Sequence, residues 1–270
     1  MNAARQLPLI SVITVCRNSA ATLARAFDSM LQQSHPSIDY VVVDGASTDW
    51  TVEIVRHYET RFATKGLRFR WISEPDQGIY DAMNKGIAMA QGEIIGILNS
   101  DDFYEPNTLQ VVAQASVANP DAGILYGFLR VLVDGKELQT YRYRYEHYLL
   151  DKEMGVFSGT QHPACFVWRS VYEQIGTFDT QFPISADYDF LLRAMKMSIH
   201  FQSIDAVLSN FSWGGASVKR TDSDRLQERY HVLSKNGLLS DAESQNMRKL
   251  IKYRKYKALK ERLAKRLFGI

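Results

Sequence analysis

The segment Gly96–Pro106 (GILNSDDFYEP) places two adjacent carboxylates where an apolar stretch of the chain ends. Residues 94–98 are apolar and predict a buried strand, which gives way to the polar run 99–102 (NSDD). Adjacent carboxylates repel each other unless positive charge lies near them. Because carboxylates that bind a divalent cation can hold a diphosphate through that cation, the segment predicts a phosphate-binding site. The alternative is that both acids cap the helix predicted near Asn107 or fill a turn.

Polar segments also follow the other strands predicted in the first half of the chain. Apolar, β-rich stretches alternate there with helical spacing, which predicts a doubly wound, mostly parallel α/β sheet flanked by helices. The predicted strands are Ile10–Cys16, Tyr40–Val43, Phe69–Ser73 and Glu93–Leu98, and the predicted helices are Ala20–Gln32, Thr51–Tyr58 (capped by Asp49), Tyr80–Ala90 and Asn107–Ala118. Such sheets bind ligands at the carboxyl ends of their strands. The segments that we expect to converge on this rim are 14–18, 44–47, 74–78 and 99–102.

The second half of the chain is less regular. Its predicted elements are the strands Ile124–Val133 and Lys136–Tyr145 around a turn at Asp134-Gly135, a short apolar segment Pro163–Trp168, a helix ending at Ile175, the helix Asp187–Met197, the strand Val207–Trp213, and the helices Asp222–Lys235 and Asp241–Phe268. There are no internal repeats and no low-complexity linker. The simplest account is one domain over residues 1–220 with a helical extension over residues 221–270.

Composition excludes several classes of protein. A hydrophobic fraction of 46% in 270 residues is typical of a folded globular chain. The only two cysteines, Cys16 and Cys165, are far apart in sequence, which argues against a disulfide scaffold and fits a reducing compartment. We find neither the apolar core of a signal peptide nor a run of about 20 apolar residues. A cytoplasmic protein is the expectation.

Two familiar nucleotide-binding motifs are absent from the sequence. The first predicted strand is followed by CRNSAATL rather than by G-x-G-x-x-G, and G-x-x-x-x-G-K-[ST] does not occur. The sequence therefore argues against a dinucleotide-binding Rossmann domain and a P-loop.

Five segments, taken in order, resemble the motifs of the family 2 glycosyltransferases, whose fold is called GT-A. These segments are Ile10–Asn18, Val41–Thr51, Glu74–Gly86, Gly92–Pro106 and Ser185–Arg193. The resemblance covers roughly residues 8–215 and is closest to bacterial enzymes that build surface polysaccharides. It implies a nucleotide-sugar half at about residues 8–120 and an acceptor half at about residues 121–220.

The resemblance also implies an activity, which is inverting transfer of a sugar from a nucleotide-diphosphate sugar to an acceptor hydroxyl with Mg²⁺ or Mn²⁺ as cofactor. Asp101 falls at the metal-binding aspartate of the D-x-D motif, and Asp187 falls at the expected general base. Thr14 and Asp44 fall where the family contacts the nucleotide base and ribose. The other residues that we expect at the nucleotide-sugar site are Cys16, Asn18, Ser47, Asp76, Gly78, Lys85, Asn99, Ser100 and Asp102, the last as a support for the loop.

This sequence departs from the family pattern at several positions. Asn99 replaces the first aspartate of D-x-D, Ala186 replaces the glutamate before the base, and Asp44 is followed by Gly45 where a second aspartate is common. No histidine that could add a metal ligand occurs between Phe211 and Arg220. The Q-x-x-R-W motif of processive synthases is also absent, so we expect addition of a single sugar.

Several of these residues also have a structural interpretation. Asp187 and Asp189 lie about 200° apart on a helix, so only one can face the cleft; both could instead serve the helix start. Lys85 could contact phosphate or brace an acid such as Asp44. Cys16 is a packing residue rather than a nucleophile. We expect His162 and Trp213 on the acceptor side, with a structural histidine and a core tryptophan as alternatives.

The charge of the chain is uneven. Of 32 Lys/Arg and 30 Asp/Glu, the segment Arg248–Arg266 carries ten basic residues and one acid, which leaves 22 basic and 29 acidic residues elsewhere. Leucines and Ile251 recur at multiples of four, which predicts a basic amphipathic helix suited to an anionic membrane surface. The alternative is a solvated helix that packs on the body. Nucleic acid is not an expected partner, because the body is acidic.

The expected function is therefore sugar transfer to a glycan or lipid-linked intermediate of cell-surface polysaccharide synthesis, in the cytoplasm or on the inner face of its membrane. Two alternatives stay open. A sugar nucleotidyltransferase would need a Gly-rich basic loop after the first strand, and CRNSAAT is not one. An inactive GT-A-like peripheral membrane protein would explain Asn99 and Ala186.

Overall fold

The computed structural model of the protein describes residues 6–143, 161–214 and 222–253. Its strands are β1 (Ile10–Cys16), β2 (Ile38–Asp44), β3 (Arg68–Ser73), β4 (Ile94–Ile97), β5 (Phe103–Tyr104), β6 (Ile124–Val133), β7 (Lys136–Tyr141), β8 (Cys165–Trp168) and β9 (Phe201–Ser212). Its helices are α1 (Leu23–Leu31), α2 (Thr51–Thr64), α3 (Ile79–Met89), α4 (Thr108–Ala118), α5 (Arg169–Ile175), α6 (Ala186–Lys196), α7 (Asp222–Lys235) and α8 (helical over residues 241–253).

One mixed sheet forms the centre of the fold. The strand order is β3-β2-β1-β4-β8-β6-β9-β5, with β7 paired to β6. The first four strands in chain order are parallel, as the alternation of strands and helices predicts. Strand β8 runs antiparallel to β4 and β6, and β6 and β9 are parallel to each other. The α/β class is confirmed, and the antiparallel pairs of β5, β7 and β8 make the sheet mixed rather than mostly parallel.

Apolar side chains pack on both faces of the sheet. Along β1, Ile13 and Val15 enter one core, whereas Ile10 and Val12 enter the other. Alternation of this kind, with every residue buried, is typical of a strand that helices cover on both sides. The helices on both faces therefore hold the strand ends in fixed positions.

Three elements differ most from the sequence-based expectations. Helix α2 runs on to Thr64, because Phe62 adds another buried turn after Tyr58. Strand β9 begins at Phe201 rather than at Val207, because its polar first half pairs with β6. The short strand β5 was not predicted, since its pairing with β9 is a long-range contact.

The C-terminal helices pack against the rest of the fold. Val232 and Leu233 of α7 are buried in the same core as α6. Helix α8 contacts α7 through Arg248, whose Nε donates a hydrogen bond to the Tyr230 hydroxyl at 2.6 Å. The predicted basic helix lies mostly beyond residue 253, outside the described residues. Within the described ranges, no helix combines the length and apolar character that a membrane crossing requires.

Candidate functional site

The parallel register brings the predicted strand ends together. Cys16 pairs with Asp44, and Asp44 pairs with Ser73, so β1, β2 and β3 end at one level. Strand β4 ends beside β1, where the Leu98 N–H donates to the Ile13 carbonyl at 2.9 Å. The expected convergence of four polar segments on one rim is therefore confirmed.

Asp44 is fully buried and organises the turn that follows β2. Its Oδ2 accepts hydrogen bonds from Ser47 N at 3.0 Å and from the Ser73 hydroxyl at 2.6 Å, and its Oδ1 accepts one from the Ser47 hydroxyl. The Ser47 hydroxyl oxygen in turn accepts a bond from Asn18 N at 2.8 Å. The carboxylate of Asp44 thus fixes the loops around it, and direct contact with a nucleotide stays a prediction.

Two predicted residues of β1 face the core rather than the rim. Thr14 is fully buried, and its hydroxyl lies 2.9 Å from the Tyr40 hydroxyl. Its side chain thus lies in the core rather than at the rim, and we do not include Thr14 in the site. Cys16 is 6% exposed, and burial together with the nearby Asp44 raises the pKa of its thiol. This environment fits the packing role predicted for Cys16.

The loops after β1, β2 and β4 are joined by hydrogen bonds. The side-chain carbonyl of Asn18 accepts a bond from Thr48 N at 2.9 Å, and Ser19 and Ser100 share a hydroxyl hydrogen bond of 2.9 Å. Asn18 has φ 51°, a left-handed conformation that asparagine tolerates better than most residues. Ser19 and Thr48 were not predicted at the site, because their hydrogen-bond partners are distant in sequence.

Asp76 lies against the backbone of Gly45. A Cβ atom placed on Gly45 would overlap Oδ2 of Asp76, so any other residue at this position would force the Asp76 carboxylate to move. The other oxygen of Asp76 accepts a hydrogen bond from Gly78 N at 2.9 Å. Gly78 has φ 125°, which favours glycine at this position as well. Both glycines therefore shape the segment between β3 and α3.

Lys85 braces the same segment. Its ammonium group lies 2.8 Å from the Glu74 carboxylate and 3.6 Å from that of Asp81, and it donates to the Pro75 carbonyl at 2.8 Å. The prediction that it would brace an acid is confirmed, but the acids are Glu74 and Asp81 rather than Asp44. Asp44 takes its hydrogen bonds from serines instead.

Asp102 is fully buried at the turn after β4, and protein groups bond both of its oxygens. Oδ2 accepts a hydrogen bond from the Asn99 amide at 3.0 Å, and Oδ1 accepts one from Ser212 N at 2.9 Å. Burial, reinforced by the charge of Asp101, raises the pKa of Asp102 to about 7. These contacts give Asp102 the supporting place in the loop that the sequence suggests.

Asp101 and Asn99 retain oxygens that suit a divalent cation. The side-chain carbonyl oxygen of Asn99 is buried without a hydrogen-bond partner, and burial raises the pKa of Asp101. An unpartnered amide oxygen and a carboxylate are both suitable ligands for Mg²⁺ or Mn²⁺. In the part of the chain that the structure describes, no three His, Cys, Asp or Glu side chains form a metal cluster. The donor set fits a cation that takes its other ligands from a bound phosphate.

Arg25 of helix α1 contacts this turn, and the sequence-based predictions did not include it. Its guanidinium donates hydrogen bonds to the Asp101 carbonyl and, at 2.6 Å, to the Ser212 hydroxyl, and it lies 4.8 Å from the ring centroid of Phe103. The charge of Arg25 opposes the rise in pKa at Asp101 and Asp102. In the sequence Arg25 is one polar residue on a predicted helix, so nothing there distinguishes it from a solvated arginine.

Asp187 lies in the first turn of α6 and is bound by a tyrosine from α3. The Tyr80 hydroxyl lies 2.9 Å from Oδ1 of Asp187 and 2.8 Å from the carbonyl oxygen of Ile184. Tyr80 is 7% exposed, and burial together with Asp187 raises its pKa. Tyr80 follows the rim segment 74–78 by two residues, so its bond connects Asp187 to the rim. From the sequence, Tyr80 was predicted only as the first residue of a helix.

Asp189 faces away from Asp187, as the helical spacing predicts. It is fully buried and accepts hydrogen bonds from Arg193 at 2.8 Å, Lys235 at 3.2 Å and Asn236 at 3.0 Å. Three donors satisfy this buried carboxylate, which makes Asp189 part of the packing between α6 and α7.

The two residues predicted on the acceptor side have different environments. His162 is 6% exposed and packs edge-on against Phe178. Burial lowers its pKa, and the charge of Asp187 opposes this only in part. Trp213 directly follows β9 and is 50% exposed, so the alternative of a core tryptophan is wrong. A role in acceptor binding stays a prediction for both residues.

Comparisons with known proteins give matches both by sequence and by fold. The family model described as "Glycosyl transferase family 2" matches residues 11–176. An uncharacterized glycosyltransferase of Mycobacterium tuberculosis is 32% identical over 220 residues, which are 80% of this chain and 79% of the relative. A PGL/p-HBAD biosynthesis glycosyltransferase of Mycobacterium bovis is 28% identical over 82% of this chain and 83% of its own.

Solved structures share the fold at lower identity. The S. aureus TarS chain matches with a TM-score of 0.64 and 18% identity over 88% of this chain but 41% of its own. TarS 1–349 in complex with UDP-GlcNAc matches with a TM-score of 0.65 over 69% of its length. The mannosyltransferase PcManGT of Pyrobaculum calidifontis, solved with GDP-Man and Mn²⁺, matches with a TM-score of 0.64 at 20% identity, over 88% of this chain and 66% of its own.

Proposed function

Because the chain belongs to glycosyl transferase family 2 and is a glycosyltransferase, we propose that it transfers one sugar from a nucleotide-diphosphate sugar to an acceptor hydroxyl, with inversion at the anomeric carbon. The observation that carries this proposal is the hydrogen bond of 2.9 Å between Tyr80 and Asp187. It connects a candidate base to the rim where the polar strand ends meet.

The donor is assigned to the rim formed by the loops after β1 to β4. Asn18, Ser47 and Ser100 lie in loops that hydrogen bonds join, and Asp76 and Gly78 form the adjoining segment. The complexes of TarS with UDP and UDP-GlcNAc, and of PcManGT with GDP-Man, support a nucleotide-diphosphate sugar as the class of donor. Cys16, Asp44 and Lys85 would act as the frame of this site.

We assign a divalent cation, Mg²⁺ or Mn²⁺, to the Asp101 carboxylate and the Asn99 carbonyl oxygen. The Mn²⁺ in the PcManGT structure and the buried, unpartnered oxygen of Asn99 support this assignment. When bound, the cation supplies charge that stabilises the leaving diphosphate. Arg25 holds the Asp101 carbonyl and Ser212, which keeps the turn in place and adds positive charge beside it.

Asp187 acts as the general base in this proposal. Its carboxylate removes the proton of the acceptor hydroxyl, which attacks the anomeric carbon on the face opposite the leaving diphosphate. Since Tyr80 bonds Oδ1, we assign the proton transfer to Oδ2. In this proposal the exposed ring of Trp213 provides a stacking surface for an acceptor sugar. We also assign His162, whose pKa the charge of Asp187 affects, to the acceptor side.

The acceptor is proposed to be a glycan or lipid-linked intermediate at the inner face of the cytoplasmic membrane. One relative is named for PGL/p-HBAD biosynthesis, and the basic segment 248–266 has the composition of a surface-binding helix. Replacing the basic residues of 254–266 with neutral ones tests the second point. These substitutions leave Arg248 and its hydrogen bond to Tyr230 unchanged. Unchanged co-sedimentation with anionic vesicles would exclude this segment as the anchor.

Activity is tested by incubating the protein with Mn²⁺, a panel of nucleotide sugars and an acceptor extract, with release of nucleoside diphosphate as the readout. We expect Asp187→Asn to abolish release and the exposed Asp121→Asn to leave it unchanged. Binding of no nucleoside diphosphate, with or without metal, would refute the proposal. Pyrophosphate produced from a nucleoside triphosphate and a sugar phosphate would indicate a nucleotidyltransferase.

A further inference from the structure

The start of helix α6, which carries Asp187, is capped by a residue from another helix. The N-cap residue Ser185 makes no side-chain capping hydrogen bond within α6. Glu228 of α7 reaches this end of the helix. Its Oε2 accepts a hydrogen bond from Ile184 N at 2.8 Å, and Ser185 also hydrogen-bonds to its carboxylate. The N–H groups at and just before a helix start lack partners within the helix, and Glu228 provides an acceptor for the backbone of Ile184 and of the N-cap residue Ser185.

The Ile184 peptide is thereby held from two sides. Glu228 bonds its N–H, and the Tyr80 hydroxyl lies 2.8 Å from its carbonyl oxygen. The same Tyr80 hydroxyl lies 2.9 Å from Asp187, three residues further along. A displacement of Ile184 would therefore disturb both the helix start and the hydrogen bond to the candidate base.

Helix α7 is well anchored for this task. Lys235 and Asn236, at its end, bond the buried Asp189, and Lys196 of α6 donates to the Asn236 carbonyl at 2.6 Å. Val232 of α7 is fully buried in the core that α6 also enters. Glu228 itself is only 9% exposed. Its carboxylate is thus fixed relative to α6 by contacts that lie two turns away.

We propose that Glu228 is a positioning residue, which together with Tyr80 fixes Ile184 and so sets the position of Asp187. Helix α7 then belongs to the working active site rather than to an accessory extension. The inference rests on the proposed function, because it takes Asp187 as the base. One competing role must be separated from it. Glu228 also lines a cleft of about 530 Å³ together with Phe182 and His231, where it could contact an acceptor directly.

The first test does not depend on catalysis. Amide hydrogen exchange is measured for wild type, Glu228→Ala, Glu228→Gln and Glu243→Ala. Glu243 is the matched control, because it caps its own helix through Ser240 at 2.9 Å. We expect exchange at Ile184–Asp187 to rise about tenfold in Glu228→Ala, to rise less in Glu228→Gln, which keeps an acceptor oxygen, and to stay unchanged in the control. Unchanged exchange in Glu228→Ala overturns the inference.

The second test is kinetic. We expect Glu228→Ala to lower kcat about tenfold, with donor and acceptor KM within about twofold of wild type, and Glu228→Gln to recover most of the loss. A raised acceptor KM at nearly unchanged kcat overturns the positioning role in favour of direct contact. The Asp187→Asn variant distinguishes failure of the proposed function from failure of the positioning role. If that variant stays active, the proposed base is wrong; if it is inactive while Glu228→Ala equals wild type, only the positioning role fails.

Discussion

The hydroxyl of Tyr80 lies 2.9 Å from Oδ1 of Asp187, and the same hydroxyl lies 2.8 Å from the Ile184 carbonyl oxygen. A phenol has one proton and cannot donate fully to both acceptors. When Asp187 is ionised, Tyr80 can donate to it. Once Asp187 has taken a proton on Oδ2, its charge is gone, and Tyr80 can donate to the Ile184 carbonyl instead. The Tyr80 hydroxyl therefore has an acceptor in both protonation states of the proposed base.

Tyr80→Phe tests this relationship. We expect kcat to fall about tenfold, since a hydrogen bond to a charged group contributes roughly 1.5–3 kcal/mol, while donor binding stays unchanged. Steady-state kinetics and titration with a nucleoside diphosphate measure the two effects. Tyr58→Phe is the matched control, because it removes a hydroxyl that lies 2.9 Å from Asp28 on α1. Equal kcat values for wild type and Tyr80→Phe would show that the hydroxyl does not serve the base.

Gly45→Ala is expected to weaken donor binding by displacing Asp76. The added Cβ would lie 2.1 Å from Oδ2 of Asp76, and Gly45 does not have a positive φ, so the effect is steric rather than conformational. We expect a loss of about tenfold in affinity for a nucleoside diphosphate, measured by calorimetry. Asp76→Ala and the double variant complete a cycle. If the two losses add fully, Gly45→Ala acts through something other than Asp76.

The rim could be predicted from sequence because each of its segments follows its own strand. Local patterns place Asp44, Asp76 and Asp101 after apolar strands, and parallel pairing then brings those ends together. The residues that position the site could not be found in this way. Tyr80 and Glu228 act on Asp187 and Ile184, respectively, across 107 and 44 residues of sequence. Neither belongs to a local pattern that differs from ordinary helix packing.

Thr14 is the reverse case, a residue that was predicted at the site but lies in the core. It occupies a motif position at the end of an apolar strand, but strand alternation turns its hydroxyl toward Tyr40 in the core. Burial at one position of a strand depends on which helices cover each face, and the first strand is apolar on both. Its sequence pattern therefore could not show which side chains reach the rim.

Asn99→Asp is expected to make the protein more dependent on a divalent cation. The new carboxylate would replace an amide that donates to Asp102 at 3.0 Å, so two acidic groups would face each other. We expect a lower Tm in EDTA, equivalent to about 1–3 kcal/mol, and a larger rise in Tm on adding Mn²⁺ than in wild type. Asn99→Ala is the control, because it loses the same hydrogen bond without adding charge. Identical Mn²⁺ responses in all three proteins would place the cation elsewhere.

Glu228→Gln is expected to change how stability depends on pH. Burial raises the pKa of Glu228 above its usual 4.5, with hydrogen bonds from Ser185 and Ile184 opposing the rise and the charge of Asp187 adding to it. The folded state therefore binds this proton more tightly than the unfolded state, and ionising Glu228 costs stability. The free energy of unfolding of wild type should fall relative to Glu228→Gln as pH rises from about 4.5 through the folded-state pKa. Urea unfolding between about pH 4.5 and 7.5 measures this difference. In an Asp187→Asn background the difference should shrink, because one source of the shift is gone, and parallel stability curves for the wild type and Glu228→Gln would contradict the raised pKa.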